Sequence, residues 1–460
     1  MSKTCRVLIA CCFSLVCGSA SSASDPRVQL MGDNFVAALP ADWRLEPGTW
    51  SYLDIIDCFT NGSTCYGSNP SSPYGYPDFG GAMSTKLDPS DAVVVFMRTP
   101  PEVRYFGFTQ YLYDRAISSK PFVFASLSDT LNHLKFSTLQ AARPGTAPFD
   151  QYAVLVWAAD MNTLASVQVL LAQQGIPESK VNFIPLPVGL PLFMGDGEMA
   201  DTFTLLMRMA LPTVPADFSM YMADKPFYVV KVRPANPPLV APAPIIGYAS
   251  ETTGVSEDTA LAAALDTLVA NIKANHASSF TFKDQLVAYS KRLGWECLAD
   301  DVDCIGGDNH DALYSQDLSR DLTVGNLKDI VIIAGVNHQK TGKAVYTNHS
   351  VVDPVKTTGI VSIEDPQMTS RSALYHAGVK QPNDPRVKQF SKLYAYAVSY
   401  DCNGLKYCIN IPAPTADNPV GLPPGAAFTL WGRSYVEPRT GVRPALNEVV
   451  RHQVMVGKRR

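Results

Sequence analysis

A run of prolines near the middle of the chain is the feature that most restricts its fold. Five prolines stand within residues 234–244. Proline lacks a backbone N–H and has a fixed φ, so this stretch can continue neither a helix nor a central strand. We predict an extended linker there, between an N-terminal domain over residues 25–233 and a C-terminal domain over residues 245–460. The chain length agrees, because a single hydrophobic core rarely serves more than about 300 residues.

The first residues have the layout of a cleaved export signal. A basic start with Lys3 and Arg6 precedes an apolar stretch over residues 7–17 and small residues up to Ala23. We predict a signal peptide over residues 1–23 and a secreted product, extracellular or periplasmic. The apolar stretch is shorter than the roughly 20 residues of a membrane-spanning helix, and no later segment supplies such a run, so we predict no membrane span.

The cysteines of the predicted mature chain fall in close pairs. Four of the ten cysteines lie in the predicted signal, and six remain. Export and short separations favour local disulfides over the other possible connectivities. The predicted pairs are Cys58 with Cys65, Cys297 with Cys304, and Cys402 with Cys408.

Composition excludes several classes of function. Hydrophobic residues make up 46% and charged residues 17%, with a net charge of -4. The chain therefore has no basic excess for nucleic acid and enough apolar residues for a large core. Gly195 to Ala200 matches a dinucleotide-binding turn, but no strand precedes it, so we expect no nucleotide cofactor.

Hydrophobic patterning predicts an α+β fold, each domain holding a mainly antiparallel sheet and a few packed helices. In the first domain, residues 152–184 read as a β-α-β unit with its helix over residues 162–174. In the second, a helix begins near Ser256, a second helix covers residues 282–293, and strands follow. The predicted strands of both domains are residues 92–97, 104–109, 121–125, 227–232, 329–335, 344–346, 359–363, 393–399, 428–436 and 447–456.

The densest polar stretch covers residues 300–311, where five aspartates, Asn309 and His310 surround two glycines. Hard oxygen ligands on a glycine-rich turn suit calcium, and an added imidazole suits zinc. The predicted ligands of this divalent cation are His310, Asp303 and Asp311. The other interpretation is a solvated acidic loop.

A second polar stretch follows an apolar strand and contains Asn337, His338 and Lys343. Groups held at the end of a buried strand are placed well for chemistry. We predict His338 as a general base, Asp308 as the carboxylate that orients it, and Asn337 or Lys343 as an oxyanion stabiliser. The rim of a β-hairpin explains the same residues without catalysis.

An aromatic stretch around Arg104, Tyr105 and Tyr111 suits a pocket for a small-molecule or saccharide ligand. The same residues fit an ordinary core. Standard catalytic motifs such as Gly-x-Ser-x-Gly and His-Glu-x-x-His are missing from the sequence.

These residues favour a secreted hydrolase acting on an ester, lactone or saccharide with His338 as its base. Two alternatives stay open. One is a secreted ligand-binding or structural protein without catalysis, and the other is a metal-dependent oxidoreductase with histidine ligands.

Overall fold

The structure is a computed structural model that describes residues 25–62, 65–116, 122–140, 148–187, 190–237, 240–243, 252–289, 294, 306–317 and 327–460. These residues form twenty strands and eight α-helices, which confirms the α+β class. The predicted export signal, Asp303 and the pair Cys297 and Cys304 lie outside the described residues.

Ten strands of the first half join in one sheet. They are β1 (Arg44–Tyr52), β2 (Tyr74–Asp78), β3 (Ala92–Arg98), β4 (Val103–Asp114), β5 (Phe122–Ser126), β6 (Leu131–Asn132), β7 (Tyr152–Ala158), β8 (Val181–Pro185), β9 (Thr202–Pro212) and β10 (Phe227–Arg233). Their order is β5-β4-β9-β2-β1-β10-β3-β7-β8, with β6 paired to β4. Only β7 and β8 among these pairs run parallel, because a helix connects them.

Four helices accompany this sheet: α1 (Pro26–Ala38), α2 (Ile55–Asn61), α3 (Met161–Gln173) and α4 (Pro215–Asp224). The predicted β-α-β unit is confirmed as β7-α3-β8. Asp160 caps α3 through its side chain, and Leu164, Val167 and Leu171 are buried as their spacing predicts. α1 and α3 cover one face of the sheet and share a core with β3, β7 and β10.

The second half contains two five-stranded sheets. Their strands are β11 (Phe280–Gln285), β12 (Val287–Tyr289), β13 (Ala312–Asp317), β14 (Ile330–Val336), β15 (Tyr346–Asp353), β16 (Thr358–Glu364), β17 (Leu393–Ser399), β18 (Cys408–Asn410), β19 (Thr429–Tyr435) and β20 (Gln453–Arg459). The orders are β11-β20-β14-β17-β18 and β12-β13-β19-β15-β16. Apolar side chains of both sheets pack together in one cluster, so the sheets face each other.

The helices of this half are α5 (Ala260–Asn275), α6 (His338–Thr341), α7 (Ser370–His376) and α8 (Pro385–Gln389). The predicted first helix is confirmed as α5, whose Leu261, Leu265, Leu268 and Ile272 are buried against β14, β17 and α7. The predicted helix over residues 282–293 is wrong. Its described part forms β11 and β12, because residues 280–285 pair with β20 and residues 287–289 pair with β13.

The two halves pack on each other through a mixed interface. Tyr105 and Ala210 of the first half contact Ala312, Tyr346 and Tyr435 of the second. Polar contacts join the halves in two places: residues 307–311 bond to side chains of the first half, and residues 67–71 bond to side chains of the second half. A site between the halves therefore takes side chains from both.

Two of the predicted disulfides are confirmed, Cys58–Cys65 and Cys402–Cys408. Such bonds are typical of an oxidising compartment. None of the helices in the described part of the chain has the length and apolar character needed to cross a membrane.

Candidate functional site

A cleft between the two halves holds two buried arginines, and we call it the arginine cleft. Arg208 comes from β9 and Arg433 from β19, and they are 4% and 3% exposed. The cleft contains about 490 Å³ of empty space, including its open mouth. Aromatic side chains make up much of its wall: Tyr66, Tyr74, Phe124, Tyr314, Trp431 and Tyr435.

Neutral groups surround the Arg208 guanidinium. Its Nη1 donates to the hydroxyl oxygens of Tyr111 (2.5 Å) and Thr109 (3.3 Å), and its Nη2 donates to the carbonyl oxygen of Gly307. The guanidinium carbon lies 5.5 Å from the ring centres of Tyr74 and Tyr111. These contacts fix the orientation of the guanidinium but carry no negative charge.

The Arg433 guanidinium has a similar environment. Its Nη1 donates to Oγ of Ser350 (3.1 Å) and its Nη2 to the carbonyl oxygen of Gly67 (2.5 Å). The guanidinium carbon lies 5.6 Å from the ring centre of Trp431. Among the described residues, neither Arg433 nor Arg208 forms an ion pair with a carboxylate.

Two further donors belong to the cleft wall. Within the described ranges, Oγ of Ser68 and Nε1 of Trp431 are buried and make no hydrogen bond. A buried donor without an acceptor costs free energy, as does a buried charge without a counter-charge. The cleft is thus a concave, donor-rich surface suited to an anion.

The described end of the acidic stretch, residues 306–311, lies beside this cleft. Oδ1 of Asp308 accepts a hydrogen bond from the backbone N–H of Ser126 (2.9 Å), and Oδ2 accepts one from its hydroxyl (2.6 Å). Burial raises the pKa of Asp308 to about 6, although Ser126 and Arg208 act to lower it. Asp308 therefore ties residues 306–311 to β5.

Asp311 makes a second link across the interface. Its carboxylate accepts hydrogen bonds from the hydroxyl of Tyr105 (2.7 Å) and from Nδ2 of Asn132 (2.9 Å). Burial raises the pKa of Asp311 to about 7. Tyr105, predicted as a ligand-binding residue, is thus buried at the interface.

His310, a predicted metal ligand, is buried with its Nε2 3.6 Å from Oδ2 of Asp308. Burial lowers the pKa of His310 to about 3. In the described part of the chain, no group of three or more His, Cys, Asp or Glu side chains is arranged to hold a metal ion. The cation stays a prediction, since Asp303 lies outside this part.

The other two predicted ligand-binding residues differ in position. Arg104 is exposed at the start of β4, where it acts to lower the pKa of Asp365. Tyr111, seven residues further along β4, is buried and contacts Arg208 directly. The aromatic stretch thus reaches the arginine cleft through Tyr111.

His338, the predicted general base, is buried and paired with a carboxylate from a distant part of the chain. Its Nδ1 lies 2.8 Å from Oε1 of Glu257. The structure therefore places Glu257, and not Asp308, at the orienting position, while Asp308 contacts Ser126.

The predicted oxyanion stabilisers are held by structural contacts. Asn337 caps α6, since its Oδ1 accepts from the Lys340 N–H (3.0 Å) and its Nδ2 donates to the Met368 carbonyl oxygen (2.7 Å). Nζ of Lys343 lies 3.0 Å from Oε2 of Glu448 and is buried.

Two further histidines lie close to His338: the buried His349 on β15 and the partly buried His452 just before β20. Nε2 of His349 is 2.5 Å from the Tyr394 hydroxyl, and Nδ1 of His452 is 3.0 Å from the Tyr289 hydroxyl. The two imidazole rings are 4.6 Å apart. Burial lowers the pKa of both, and the neighbouring His338 lowers it further.

Sequence reasoning missed Arg208 and Arg433 as site residues. A signal was present, because Arg208 interrupts the apolar run of β9 and charged side chains are almost never fully buried without a partner. Sequence reasoning also missed Glu257. Its partner His338 is 81 positions away, and no local pattern reports such a contact.

No protein family matches the sequence, and no curated protein matches it. Among solved structures, the chain is similar to a putative uncharacterized protein from Burkholderia cenocepacia, with a TM-score of 0.38, 12% identity and coverage of 95% of this chain and 91% of that chain. It is also similar to a Vibrio parahaemolyticus protein solved by a structural genomics consortium, with a TM-score of 0.39, 11% identity and coverage of 93% and 96%. Neither likeness is close enough to assign a function.

Proposed function

We propose that this chain is an exported binding protein that holds a small anionic ligand in the arginine cleft. The observation that carries the proposal is the pair Arg208 and Arg433, buried on one cleft without carboxylate partners among the described residues. Guanidinium groups match carboxylate and phosphate oxygens in geometry and charge. Asp308 is near enough to Arg208 to interact with its charge but forms no ion pair with it, and an anion in the cleft would supply a counter-charge in direct contact with both guanidiniums.

The position of the cleft also supports ligand binding. Small-molecule sites commonly lie in clefts where two folded units meet, with a few polar groups on a largely aromatic wall. The arginine cleft has this composition, and the first half contributes Arg208 and Ser68 while the second contributes Arg433 and Trp431. A bound anion would therefore contact both halves.

The test is to measure the binding of a panel of small anions to the mature protein, by calorimetry and by the change in melting temperature. Arg208→Lys and Arg433→Lys keep the positive charge but remove the planar fork, and each should weaken binding about tenfold or more. The matched control is Arg233→Lys. Arg233 already pairs with Asp91 (2.6 Å) and Asp196 (2.7 Å) outside the arginine cleft, so affinity should not change.

A different result would refute the proposal. It fails if no anion raises the melting temperature at millimolar concentration, or if both cleft variants bind as tightly as the parent protein. Circular dichroism of each variant establishes that it has folded.

Hydrolysis with His338 as general base is the second candidate function. The pairing of His338 with Glu257 favours it, because a carboxylate on Nδ1 orients an imidazole and leaves Nε2 for proton transfer. Ester, lactone and glycoside panels test it alongside His338→Ala, with His376→Ala as a control at another buried histidine. Turnover lost only in His338→Ala supports the candidate, and turnover equal in both variants contradicts it.

A divalent cation remains a further proposal for the loop with His310 and Asp311. A calcium or zinc titration that leaves the melting temperature unchanged would contradict it, because a ligand that binds only the folded state stabilises that state. The same result would also weaken a metal-dependent oxidoreductase.

A further inference from the structure

We infer that the ligand of the arginine cleft is an aromatic carboxylic acid, with its carboxylate between the two guanidiniums and its ring against the apolar wall. This inference rests on the proposed function, since it names the chemical class of the anion bound at that site. It is carried by the division of the cleft into a donor-rich side and an apolar side.

The donor-rich side suits a carboxylate. A guanidinium has five N–H groups. Among the described residues, Arg208 donates three hydrogen bonds and Arg433 two, so that two and three of their N–H groups have no acceptor there. Ser68 and Trp431 add one donor each. A carboxylate offers about four acceptor positions and can take bidentate contacts from one arginine while a second donor group binds its other lone pairs.

The apolar side requires more than an inorganic ion. Leu53, Met83, Phe124 and Leu206 line the cleft and belong to one apolar cluster of the first half. A phosphate or sulfate ion would satisfy the guanidiniums but leave this wall in contact with water. A ligand with an apolar part removes that surface from water at about 25 cal/mol per Å².

The wall favours an aromatic ring over an aliphatic chain. Rings of Tyr66, Phe124 and Trp431 line the cleft together with the Tyr74, Tyr314 and Tyr435 rings. Aromatic pairs gain energy beyond the area that they bury when they stack with an offset or meet edge to face.

The probe for this inference is 3-phenylpropionate, titrated into the mature protein by calorimetry. The comparison ligands are 3-phenylpropanamide, which lacks the charge, propionate, which lacks the ring, and inorganic phosphate. We expect 3-phenylpropionate to bind, and each comparison ligand to bind about tenfold more weakly or worse. Tryptophan fluorescence should change on binding, since Trp431 lines the cleft.

A variant of the apolar wall separates the ring contact from the charge contact. Met83→Ala should weaken 3-phenylpropionate about threefold to tenfold through lost apolar contact and leave propionate unchanged. Met83 is only half-buried, so this variant should fold. The control is Met220→Ala, at a methionine 59% exposed on α4, which should bind all ligands like the parent protein.

The outcomes distinguish the inference from the proposal beneath it. Suppose that phosphate binds more tightly than 3-phenylpropionate, and that its binding is lost in Arg433→Lys and unchanged in Met83→Ala. This result would overturn the inference of an aromatic acid and support the proposed anion-binding function. Binding of the amide as tight as that of the acid would also overturn the inference. If none of the four ligands binds in an arginine-dependent way, the inference fails together with the proposed function.

Discussion

Glu257 and His338 form a buried pair, with Oε1 of Glu257 2.8 Å from Nδ1 of His338. The Thr341 hydroxyl donates to the same carboxylate oxygen (2.5 Å), and the backbone N–H of Val450 donates to the other (2.7 Å). Burial acts to raise the pKa of Glu257, but His338 and these donors hold it below its ordinary value. The charged carboxylate thus connects the segment before α5 to α6 and to the segment before β20.

We expect Glu257→Gln to destabilise the protein by about 3 kcal/mol, because it removes the charged partner of buried His338 and places a donor amide among groups that donate to the carboxylate. Urea unfolding measures this. The control is Asp284→Asn, whose carboxylate is 65% exposed beside Lys273 and should change the stability by at most about 0.5 kcal/mol. Equal effects of the two variants would contradict a structural role for the pair.

Local patterns predicted much of the fold. The spacing of Leu261, Leu265 and Leu268 predicted α5, and the apolar run of residues 152–157 predicted β7, because both signals lie within one element. The helix predicted over residues 282–293 was wrong, because the structure of this segment depends on a distant part of the chain. β11 exists through pairing with β20 some 170 residues later, and neither segment alone reports that partner.

The candidate site was less predictable than the fold. Tyr111 was identified from its aromatic neighbours, but its contact Arg208 lies 97 positions away. Arg433 reaches the same cleft from the other half of the chain. A site built from residues of two halves depends on how those halves pack, and residue spacing carries no information on that packing.

The buried histidines predict loss of stability in acid. Burial lowers the pKa of His133 and His376 to about 4 and that of His310 and His452 to about 3. An unfolded histidine titrates near 6.5. Because the folded pKa is lower, the stabilisation is fully present above about pH 6.5 and is lost as the pH falls toward 4.

Buried carboxyl groups act in the opposite direction. Burial raises the pKa of Asp308 to about 6, that of Asp311 to about 7 and that of Asp365 to about 8. Their contribution to stability is present below about pH 4 and is lost as the pH rises through these values. The slope of stability against pH is therefore the histidine contribution minus the carboxyl contribution. Replacing one histidine isolates the contribution of that histidine.

His376→Gln should make that slope shallower by about 1 kcal/mol per pH unit between pH 6.5 and 4. The free energy of unfolding, measured by urea at several pH values, gives the slope. Ser372→Ala is the matched control, since Ser372 is buried on the same helix and has no titrating group in this range. The linkage is refuted if both variants lower stability with the slope of the parent protein.

The two described disulfides should differ in their effect on the ligand. Replacing Cys402 and Cys408 by serine should cost roughly 2 kcal/mol through the loop entropy of the unfolded chain, without loss of ligand affinity. Replacing Cys58 and Cys65 should cost a similar amount and also weaken binding, because Cys65 lines the arginine cleft. Equal affinities in the two double variants would argue against this role.

Oxidation of all six mature cysteines is a separate expectation, and it includes the predicted pair Cys297 and Cys304. Alkylation of the non-reduced mature protein followed by intact-mass measurement should show no modified thiol. Two alkylated cysteines would mean that one pair stays reduced.

Gly67 offers a test of the cleft wall that leaves its charges intact. Its φ is +66°, and a Cβ at this position would lie 2.2 Å from a ring atom of Trp431. Gly67→Ala should therefore cost the left-handed backbone penalty of about 1–2 kcal/mol and also displace the Trp431 ring. The control Gly80→Ala has a comparable φ of +96° with nothing within 4 Å of its Cβ, so it should cost only the backbone penalty.

We expect Gly67→Ala to melt at a lower temperature than Gly80→Ala, to shift the tryptophan emission and to lose ligand binding. If the two variants melt together and bind alike, the wall formed by Trp431 does not contribute to the site.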